Sequence, residues 1–558
     1  MKKYIKNIVS ICVLVFVVFG CNDSFLDEKV LDKLAPETLN DKFGYDAVAV
    51  GLYNRLSAEF YTSTGGGQAF SAMFQVGTDV VWAPSGRANG VRGYFDYAQL
   101  ISTDEPSKTL WTALYRIINN ANVLITNAES GNAVGMTQDE ISAFNAEGRF
   151  FRAYAYNMLA TLYGGVPLII EPISGAKTDF TRASLADVNS VIEEDLVFAV
   201  ANLPEVGDAA YDARANKAMA RQLLAEVSLR TGKPGLAEDQ CDDIINSGKF
   251  KLVKERYGVR ANQSGDAFSD MFIYGNQRRS QGNTEVIWAL ENENPTDVTD
   301  GSTGASQFRR IWVGAYYDIP GMQPTDSLGG RGLTRVRLNN WVVYDLYDDE
   351  DMRNSKYTLH RQHYFNNTNS KFDAIRGMPI PYGQDAVFSL PDGSKVKIFA
   401  NDTIIKYVPY TLKWGEFDSR NVFGWGMYKD FIIMRLGETY LLRAEARFKQ
   451  NNPGGAADDI NVLRDRAQAP NVGAGEITLD FILDERAREL LAEENRRMTL
   501  VRTGTLVERA KRLNGTSPLA GGAIETTNGI QDYNVLLPIP QSEIDLNKDA
   551  VLEQNPGY

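Results

Sequence analysis

The stretch NKAMARQLLAEVSLRTGKPGLAEDQCDDIINSGKF, residues 216–250, decides the fold of this chain. Apolar residues recur at helical spacing on both sides of the turn at 232–234, and a proline suits the first turn of a new helix. Small alanines, Ala220, Ala225 and Ala237, stand where two paired helices must approach closely. The stretch therefore predicts two helices joined by a tight turn.

The same arrangement returns near the C-terminus, in LGETYLLRAEARFKQNNPGGAADDINVLRDRAQAP at residues 436–470. Each pair has about the length of one tetratricopeptide repeat, which has a period of ~34 residues. A single helix pair cannot bury its apolar face alone, so several pairs should stack. Amphipathic periodicity also predicts helices within 109–129, 137–165 and 184–204. We predict a mainly α fold, a tetratricopeptide-like scaffold of helix pairs.

The helical rhythm disappears between about residues 251 and 430. This part is rich in Gly, Asn, Asp and aromatic residues, and it contains short strand-like runs and most of the tryptophans. Binding residues concentrate on loops that a rigid scaffold holds. We therefore predict an N-terminal helical part over 41–250, an inserted irregular loop and short-strand region over 251–430 that forms the binding face, and a C-terminal helical part over 431–558.

The N-terminus has the pattern of an export signal. Three lysines precede an apolar run that is too short to span a bilayer, which is typical of a signal peptide. The residues VFGC at 18–21 resemble a bacterial lipobox, so we predict a signal peptide over 1–20, lipid on Cys21, and a tether over 21–40. The alternative is an ordinary signal peptide whose cysteine is accidental.

Composition excludes several classes of function. A formal net charge of -13 argues against nucleic acid or an anionic lipid surface as the main ligand. The mature chain keeps only Cys21 and Cys241. If Cys21 carries lipid, no disulfide can form within the chain, and we expect Cys241 to be buried on a helix. No HExxH or CxxC motif occurs. We interpret His360 and His363 as polar surface residues and predict no cofactor and no metal.

An oxygen-only Ca²⁺ site remains a weaker alternative. The segments 297–302 and 348–351 supply carboxylates, but neither matches a known calcium-binding loop.

Several segments carry a family resemblance. They are CNDSFLDE at 21–28, EGRFFRAYAYNMLATLYGGVPL at 147–168, RLGETYLLRAEARF at 435–448 and LLPIPQSEIDLNKDAVLEQNPGY at 536–558. With them the chain resembles the SusD/RagB family of surface lipoproteins from Bacteroidetes. The resemblance implies a tetratricopeptide-like scaffold with an inserted binding region, anchored to the outer membrane through its lipid and facing the cell surface. It also implies a partner, a SusC-like TonB-dependent transporter that the lipoprotein caps as a hinged lid.

For such a protein we expect capture of an oligosaccharide or polysaccharide. Sugar rings stack on aromatic side chains, while Arg, Asn and Asp bond the hydroxyl groups. Two clusters offer this chemistry, and the candidate ligand-binding residues are Asp79, Trp82, Arg87, Asn89, Arg309, Trp312, Tyr316 and Tyr317. The alternative for each aromatic is packing beneath the loops. Trp312→Ala should therefore weaken capture, or lower stability if the ring is packed.

Two other functions stay open at this stage. A RagB-like member would capture peptides instead of glycans, through contacts to the ligand backbone. A surface glycan-degrading enzyme would need two carboxylates across a cleft, but the sequence contains no GxSxG or P-loop motif, and we predict no enzyme. We interpret the charged residues of the helices as inter-helix ion pairs of the scaffold rather than as catalytic groups; they are Arg443, Glu445, Glu485, Arg486, Glu494 and Arg496.

Overall fold

A computed structural model describes most of the chain: residues 40–62, 72–83, 89–209, 213–299, 301–302, 304–400, 402, 406–424, 426–514 and 529–558. The predicted signal peptide, Cys21 and nearly all of the predicted tether lie outside the described residues. No helix among the described residues is long and apolar enough to cross a membrane.

Helices dominate this part of the chain. They are α1 (Lys42–Leu56), α2 (Glu105–Glu129), α3 (Gln138–Tyr163), α4 (Leu185–Asn202), α5 (Lys217–Arg230), α6 (Pro234–Asn246), α7 (Ala267–Asp270), α8 (Phe308–Trp312), α9 (Asn340–Tyr344), α10 (Leu436–Lys449), α11 (Pro453–Ala467), α12 (Leu479–Leu490), α13 (Arg496–Arg502), α14 (Leu506–Leu513) and α15 (Gln541–Leu546).

The strands are short and pair antiparallel in twos. They are β1 (Val81–Trp82) with β3 (Arg337–Leu338), β2 (Val286–Leu290) with β8 (Phe431–Arg435), β4 (Leu359–His360) with β7 (Tyr410–Thr411), and β5 (Ala386–Ser389) with β6 (Lys395–Ile398).

Local signals set the ends of the long helices. The α3 helix begins with a capping box, in which the side chains of Thr137 and Glu140 satisfy each other's backbone N–H groups. It ends at Gly164, whose φ of 79° favours glycine. Asn216 caps α5 through its side chain, and Pro234 opens α6.

The scaffold is a stack of helix pairs. The helices α2, α3, α4 and α5 each pack on the helix that follows. The α6 helix packs on α10, which pairs with α11. The two pairs seen in the sequence are therefore direct neighbours. Ala225, Ala237 and Cys241 lie fully buried in one cluster with Leu442 and Ala446, where small side chains allow the close approach. The predictions of a mainly α helix-pair fold and of a buried Cys241 are confirmed.

The C-terminal segment closes back onto α3. The N–H of Leu537 donates to the carbonyl of Leu162 at 2.7 Å, and the Asn555 amide donates to the carbonyl of Tyr163 at 3.0 Å. The Tyr558 hydroxyl donates to the carbonyl of Leu536 at 2.8 Å. The C-terminal segment thus donates to two backbone carbonyls at the end of α3, and Tyr558 bonds this segment to itself.

The irregular region has its own core and recruits residues from the N-terminal half. Val313, Tyr316, Phe365 and Tyr410 belong to a hydrophobic cluster separate from the main core. Because β1 pairs with β3, the stretch around Trp82 joins this region although it lies some 250 residues earlier in the chain.

Candidate functional site

The charged residues of the scaffold form ion pairs, as the sequence predicts. Arg443 pairs with Asp459 and Asp242, and Arg502 pairs with Glu445. The remaining pairs join Arg486 to Glu438 and Glu494, Arg496 to Glu494 and Asp79, and Glu485 to Arg353 and Arg464. Several of these contacts reach beyond the helices, because Asp79 and Arg353 belong to the irregular parts of the chain.

Asp79, a candidate binding residue, lies fully buried. It accepts hydrogen bonds from Arg496 at 2.9 and 2.6 Å and from Arg509 at 2.7 Å. Burial alone would raise the pKa of Asp79, but the Arg496 and Arg509 guanidinium groups hold it below its ordinary value. Both carboxylate oxygens are thus occupied by the scaffold.

Arg309 is also fully buried, and it positions a loop. It donates to Glu416 at 2.9 Å and to the carbonyls of Asn421 at 3.1 Å and Gly426 at 2.9 Å. Burial lowers the pKa of Arg309 although Glu416 opposes the shift. These bonds fix the backbone of the loop that carries Phe423.

Tyr316 likewise holds the backbone of a loop, the one over residues 325–330. Its ring is fully buried, and its hydroxyl donates to the carbonyl of Gly330 at 2.8 Å and accepts from the N–H of Thr325 at 3.2 Å. Arg309 and Tyr316 therefore hold the backbone on which exposed side chains stand.

The two tryptophans lie beneath the loops. Trp82 and Trp312 are each 3% exposed. The Trp312 ring borders a cavity of about 30 Å³ together with Phe308 and Trp414. This cavity has room for a water molecule or two and none for a sugar ring. The geometry favours the packing alternative for both tryptophans.

We therefore expect Trp312→Ala to act on stability. Removing a buried tryptophan should lower the free energy of unfolding by about 3–5 kcal/mol, because the cavity it leaves collapses only in part. Urea denaturation followed by circular dichroism measures the loss. A variant that keeps wild-type stability but loses ligand affinity would restore Trp312 to the binding site.

Tyr317 is the candidate that reaches the surface. Its ring is half-buried and meets Phe423, which is 56% exposed, edge to face with the ring centroids 5.7 Å apart. The Arg331 guanidinium lies 4.7 Å from the Phe423 centroid and 5.7 Å from that of Tyr317. Its Nε donates to the Tyr317 hydroxyl at 3.2 Å. We call Tyr317, Phe423 and Arg331 the aromatic platform.

Two glycines fix the position of Arg331. Gly330 has a φ of +83°, a conformation that other residues rarely adopt. A side chain at Gly332 would begin 2.0 Å from the carbonyl oxygen of Val313, so the loop can lie this close only without one. The segment Gly329 to Gly332 thereby carries Arg331 over the two rings.

The structure describes no side-chain position for the other two candidate ligand-binding residues, Arg87 and Asn89. Arg87 lies outside the described residues. Asn89 begins a short 3-10 helix, Asn89–Tyr94, but its side chain is not among those described. Sequence reasoning missed Phe423 and Arg331, although both stand among glycines in the aromatic-rich region where binding residues were expected.

The two histidines are not at the surface, so that interpretation is wrong. His363 is 1% exposed and His360 is half-buried, with the ring centroids 4.4 Å apart. Burial lowers the pKa of His360 to about 4 and that of His363 well below its usual value. Packing against Tyr410 and Tyr316 keeps both imidazoles neutral.

The acidic segments considered for calcium are engaged with arginines. Asp297 accepts from Arg420, Asp348 from Arg464, and Asp351 from Arg353. Within the described residues, no cluster of three or more His, Cys, Asp or Glu side chains could hold a metal ion.

A concave surface lies elsewhere, on the helical scaffold. A groove of about 440 Å³ runs between α2, the loop after α3 and the C-terminal segment, and Trp111, Tyr115 and Phe180 line it. Trp111 is only 3% exposed, so its ring packs in the hydrophobic core and leaves little surface for a ligand. Tyr115 and Phe180 are half-buried, whereas Phe423 of the platform is 56% exposed.

Comparison with known proteins settles the family. The family model described as the SusD family matches residues 268–558, more than half of the chain. This chain belongs to the SusD family. A second model of SusD-like proteins, described as starch-binding and associating with the outer membrane, matches residues 24–229.

The sequences of individual SusD-like proteins are also similar to this chain. A SusD-like protein of Formosa agariphila is 25% identical over 99% of both chains. The starch-binding protein SusD of Bacteroides thetaiotaomicron is 39% identical over 23% of this chain and 22% of its own length.

Solved structures of SusD-like proteins share the fold. A laminarin-binding SusD-like protein superposes with a TM-score of 0.67 at 21% identity, over 93% of this chain and 100% of that one. The surface glycan-binding protein A of Bacteroides thetaiotaomicron, in complex with laminarihexaose, gives 0.68 at 18% identity, over 92% and 99%.

Proposed function

We propose that this protein captures an oligosaccharide or polysaccharide at the outer membrane. The observation that carries the proposal is the aromatic platform, which stands exposed on a SusD-family scaffold. Relatives whose names state starch, laminarin or laminarihexaose binding support the substrate class. The family description also supports outer-membrane association.

The platform suits a pyranose ring in two ways. The exposed face of Phe423 can pack against the apolar C–H face of a sugar, and Tyr317 extends the apolar surface at an angle. Arg331 spreads its guanidinium over both rings, which leaves it N–H donors for hydroxyl groups at the sugar rim. Because Arg309 and Tyr316 hold both loops from below, little ordering of the site should accompany binding.

Delivery to a SusC-like TonB-dependent transporter completes the proposed role. The lipid on Cys21 would hold the protein at the cell surface, and the tether over 21–40 would let it swing as a lid. We propose no catalysis, since three carboxylates of this region, Glu416, Asp418 and Asp326, serve as ion-pair partners of Arg309, Arg420 and Arg260.

The test is affinity electrophoresis of the mature chain from residue 22 onward, in gels that contain laminarin, starch or other polysaccharides. Retarded migration with no released sugar is expected. Released oligosaccharide would instead identify an enzyme. Failure to bind any glycan, together with retention on a peptide library, would favour the peptide-capturing alternative.

Membrane attachment is expected to depend on Cys21. Each buried CH₂ of an acyl chain contributes about 0.8 kcal/mol, and stable anchoring takes more than one chain. Cys21→Ala should therefore move the protein from the membrane fraction to the soluble fraction after a high-salt wash. The measurement belongs in a strain without the partner transporter, where a variant that still sediments with the membrane would contradict the lipoprotein assignment.

A further inference from the structure

The aromatic platform lies among arginines in a protein of net charge -13. Arg310 is half-buried on α8, and Arg331, Arg335 and Arg337 follow one another along the segment that leads into β3. Positive charge is thus concentrated beside the two rings, whereas the molecule as a whole is acidic.

Three of these arginines have no carboxylate partner among the described residues. Within the described part of the chain, Arg310, Arg331 and Arg337 form no ion pair with any carboxylate. Arg310 donates to the Gln307 side chain at 3.2 Å, while its buried Nε has no hydrogen-bond partner. Buried charges in proteins are ordinarily paired, so this arrangement leaves capacity for an anion.

Arg337, on β3, shows the same feature beside Trp82. It is 2% exposed, lies 5.4 Å from the Trp82 ring centroid, and donates to the Tyr382 hydroxyl at 3.0 Å. Its Nε and Nη1 have no partner.

The positive charges also act on one another. Burial, together with the charges of Arg331 and Arg335, lowers the pKa of Arg310. The carboxylates of this region do not offset them: Glu416, Asp418 and Asp326 each serve another arginine. Asp318 is the exposed carboxylate that follows Tyr317, and the arginines outnumber it.

We propose that the glycan captured here is anionic and carries carboxylate or sulfate groups that Arg331 and Arg310 bind beside the platform. The inference rests on the proposed function and narrows its substrate class. Guanidinium N–H groups match the planar oxygen pairs of a carboxylate or sulfate, and such charge-assisted bonds are stronger than bonds to hydroxyls. The rings would bind the apolar face of the same sugar, and the arginines its acidic substituent.

The test compares three probes at two salt concentrations: polygalacturonate for carboxylate, dextran sulfate for sulfate, and laminarin as the neutral glycan. The wild-type protein should bind at least one anionic probe more tightly than laminarin, and this preference should shrink as salt rises. Arg331→Gln and Arg310→Gln should each weaken that binding about 10-fold, the scale of one charge-assisted hydrogen bond. For Arg310→Gln, laminarin binding should change about twofold or less. Arg331→Gln also removes donors for sugar hydroxyls, so it should weaken laminarin binding too, but by a smaller factor than it weakens binding of the anionic probe.

Control variants distinguish direct binding of the anion from two other effects, a change in the net charge of the protein and a loss of support for the aromatic rings. Arg512→Gln removes one exposed arginine on α14 and should change none of the affinities. Arg331→Lys keeps the charge and should retain part of the anionic preference. The Arg310 variant tests the anion contact without touching the guanidinium that lies over the rings.

Two outcomes would overturn the proposal. One is tight binding of laminarin with none of either anionic probe, which refutes the anionic class and leaves glycan capture intact. The other is anionic binding that survives both arginine substitutions. Absence of binding to all glycans would refute the proposed function itself, and so the two failures are distinguishable.

Discussion

Glu489→Gln is expected to lower the free energy of unfolding by about 3–5 kcal/mol. The Glu489 carboxylate lies fully buried on α12 and pairs with Arg353 at 3.0 Å, with Arg435 at 2.5 Å and with Arg466. The three guanidinium groups are at most 2% exposed. Glutamine would keep the shape but remove the negative charge that all three guanidinium groups share. Other carboxylates that pair with them, among them Asp351 with Arg353 and Glu285 with Arg435 and Arg466, would then balance less of the buried positive charge.

The same carboxylate joins parts of the chain that are distant in sequence. Arg353 belongs to the irregular region, Arg466 to α11, and Arg435 ends strand β8 directly before α10. Loss of the central anion should therefore loosen the attachment of the irregular region to the scaffold. Urea denaturation measures the change, and Glu508→Gln, at an exposed pair on α14, is the control expected to change stability little.

The pH dependence gives this prediction a second readout. Burial would raise the pKa of Glu489, but the three arginines hold it well below its ordinary value of 4.5. A carboxyl with a lowered folded-state pKa contributes fully above about pH 4.5 and loses that contribution as the pH falls toward the folded-state value. The stability gap between wild type and Glu489→Gln should therefore narrow below pH 4.5. A gap under about 1 kcal/mol at pH 7 would contradict the role assigned to this residue.

The double variant Tyr317→Ala/Phe423→Ala should lose about 30- to 700-fold in affinity for the glycan that the electrophoresis identifies. Stacked aromatic rings are typical binding hot spots, and two of them together contribute about 2–4 kcal/mol. Isothermal titration calorimetry on the mature chain measures the loss. Because Phe423 is 56% exposed, the single variant Phe423→Ala should fold as wild type does.

Matched controls show whether the loss belongs to stacking at the platform. Phe43→Ala removes another exposed phenylalanine, 74% exposed on α1, and should leave affinity unchanged. Tyr317→Phe keeps the ring but removes the hydroxyl that accepts from Arg331, and should retain most of the affinity. If the double variant binds as wild type, the groove beside Trp111 and Phe180 becomes the next candidate.

The helix-pair scaffold could be predicted from the sequence because its signals are local. The apolar periodicity of residues 216–250, the capping residues Thr137 and Asn216, and the turn at Pro234 all act within a few residues of one another. The buried position of Cys241 follows from the same periodicity.

The sequence could not show which candidate residues reach the surface, because their burial depends on contacts between residues that are distant in the sequence. Asp79 stands beside a tryptophan in a polar loop, yet its carboxylate meets Arg496, 417 residues away. Trp312 and Phe423 are both aromatic residues of the irregular region. Burial separates them: Trp312 packs under the loops, while the loop that Arg309 holds lifts Phe423 to the surface.

The sequence by itself determined the class of fold, the family and the region in which to search, because periodicity, capping and segment motifs are encoded in neighbouring residues. Only the tertiary structure decided which side chains of that region face solvent. Exposure is a property of the whole packed chain. Residues distant in the sequence decide whether a ring is covered, and the partner that folds against a charged group decides whether its charge is paired.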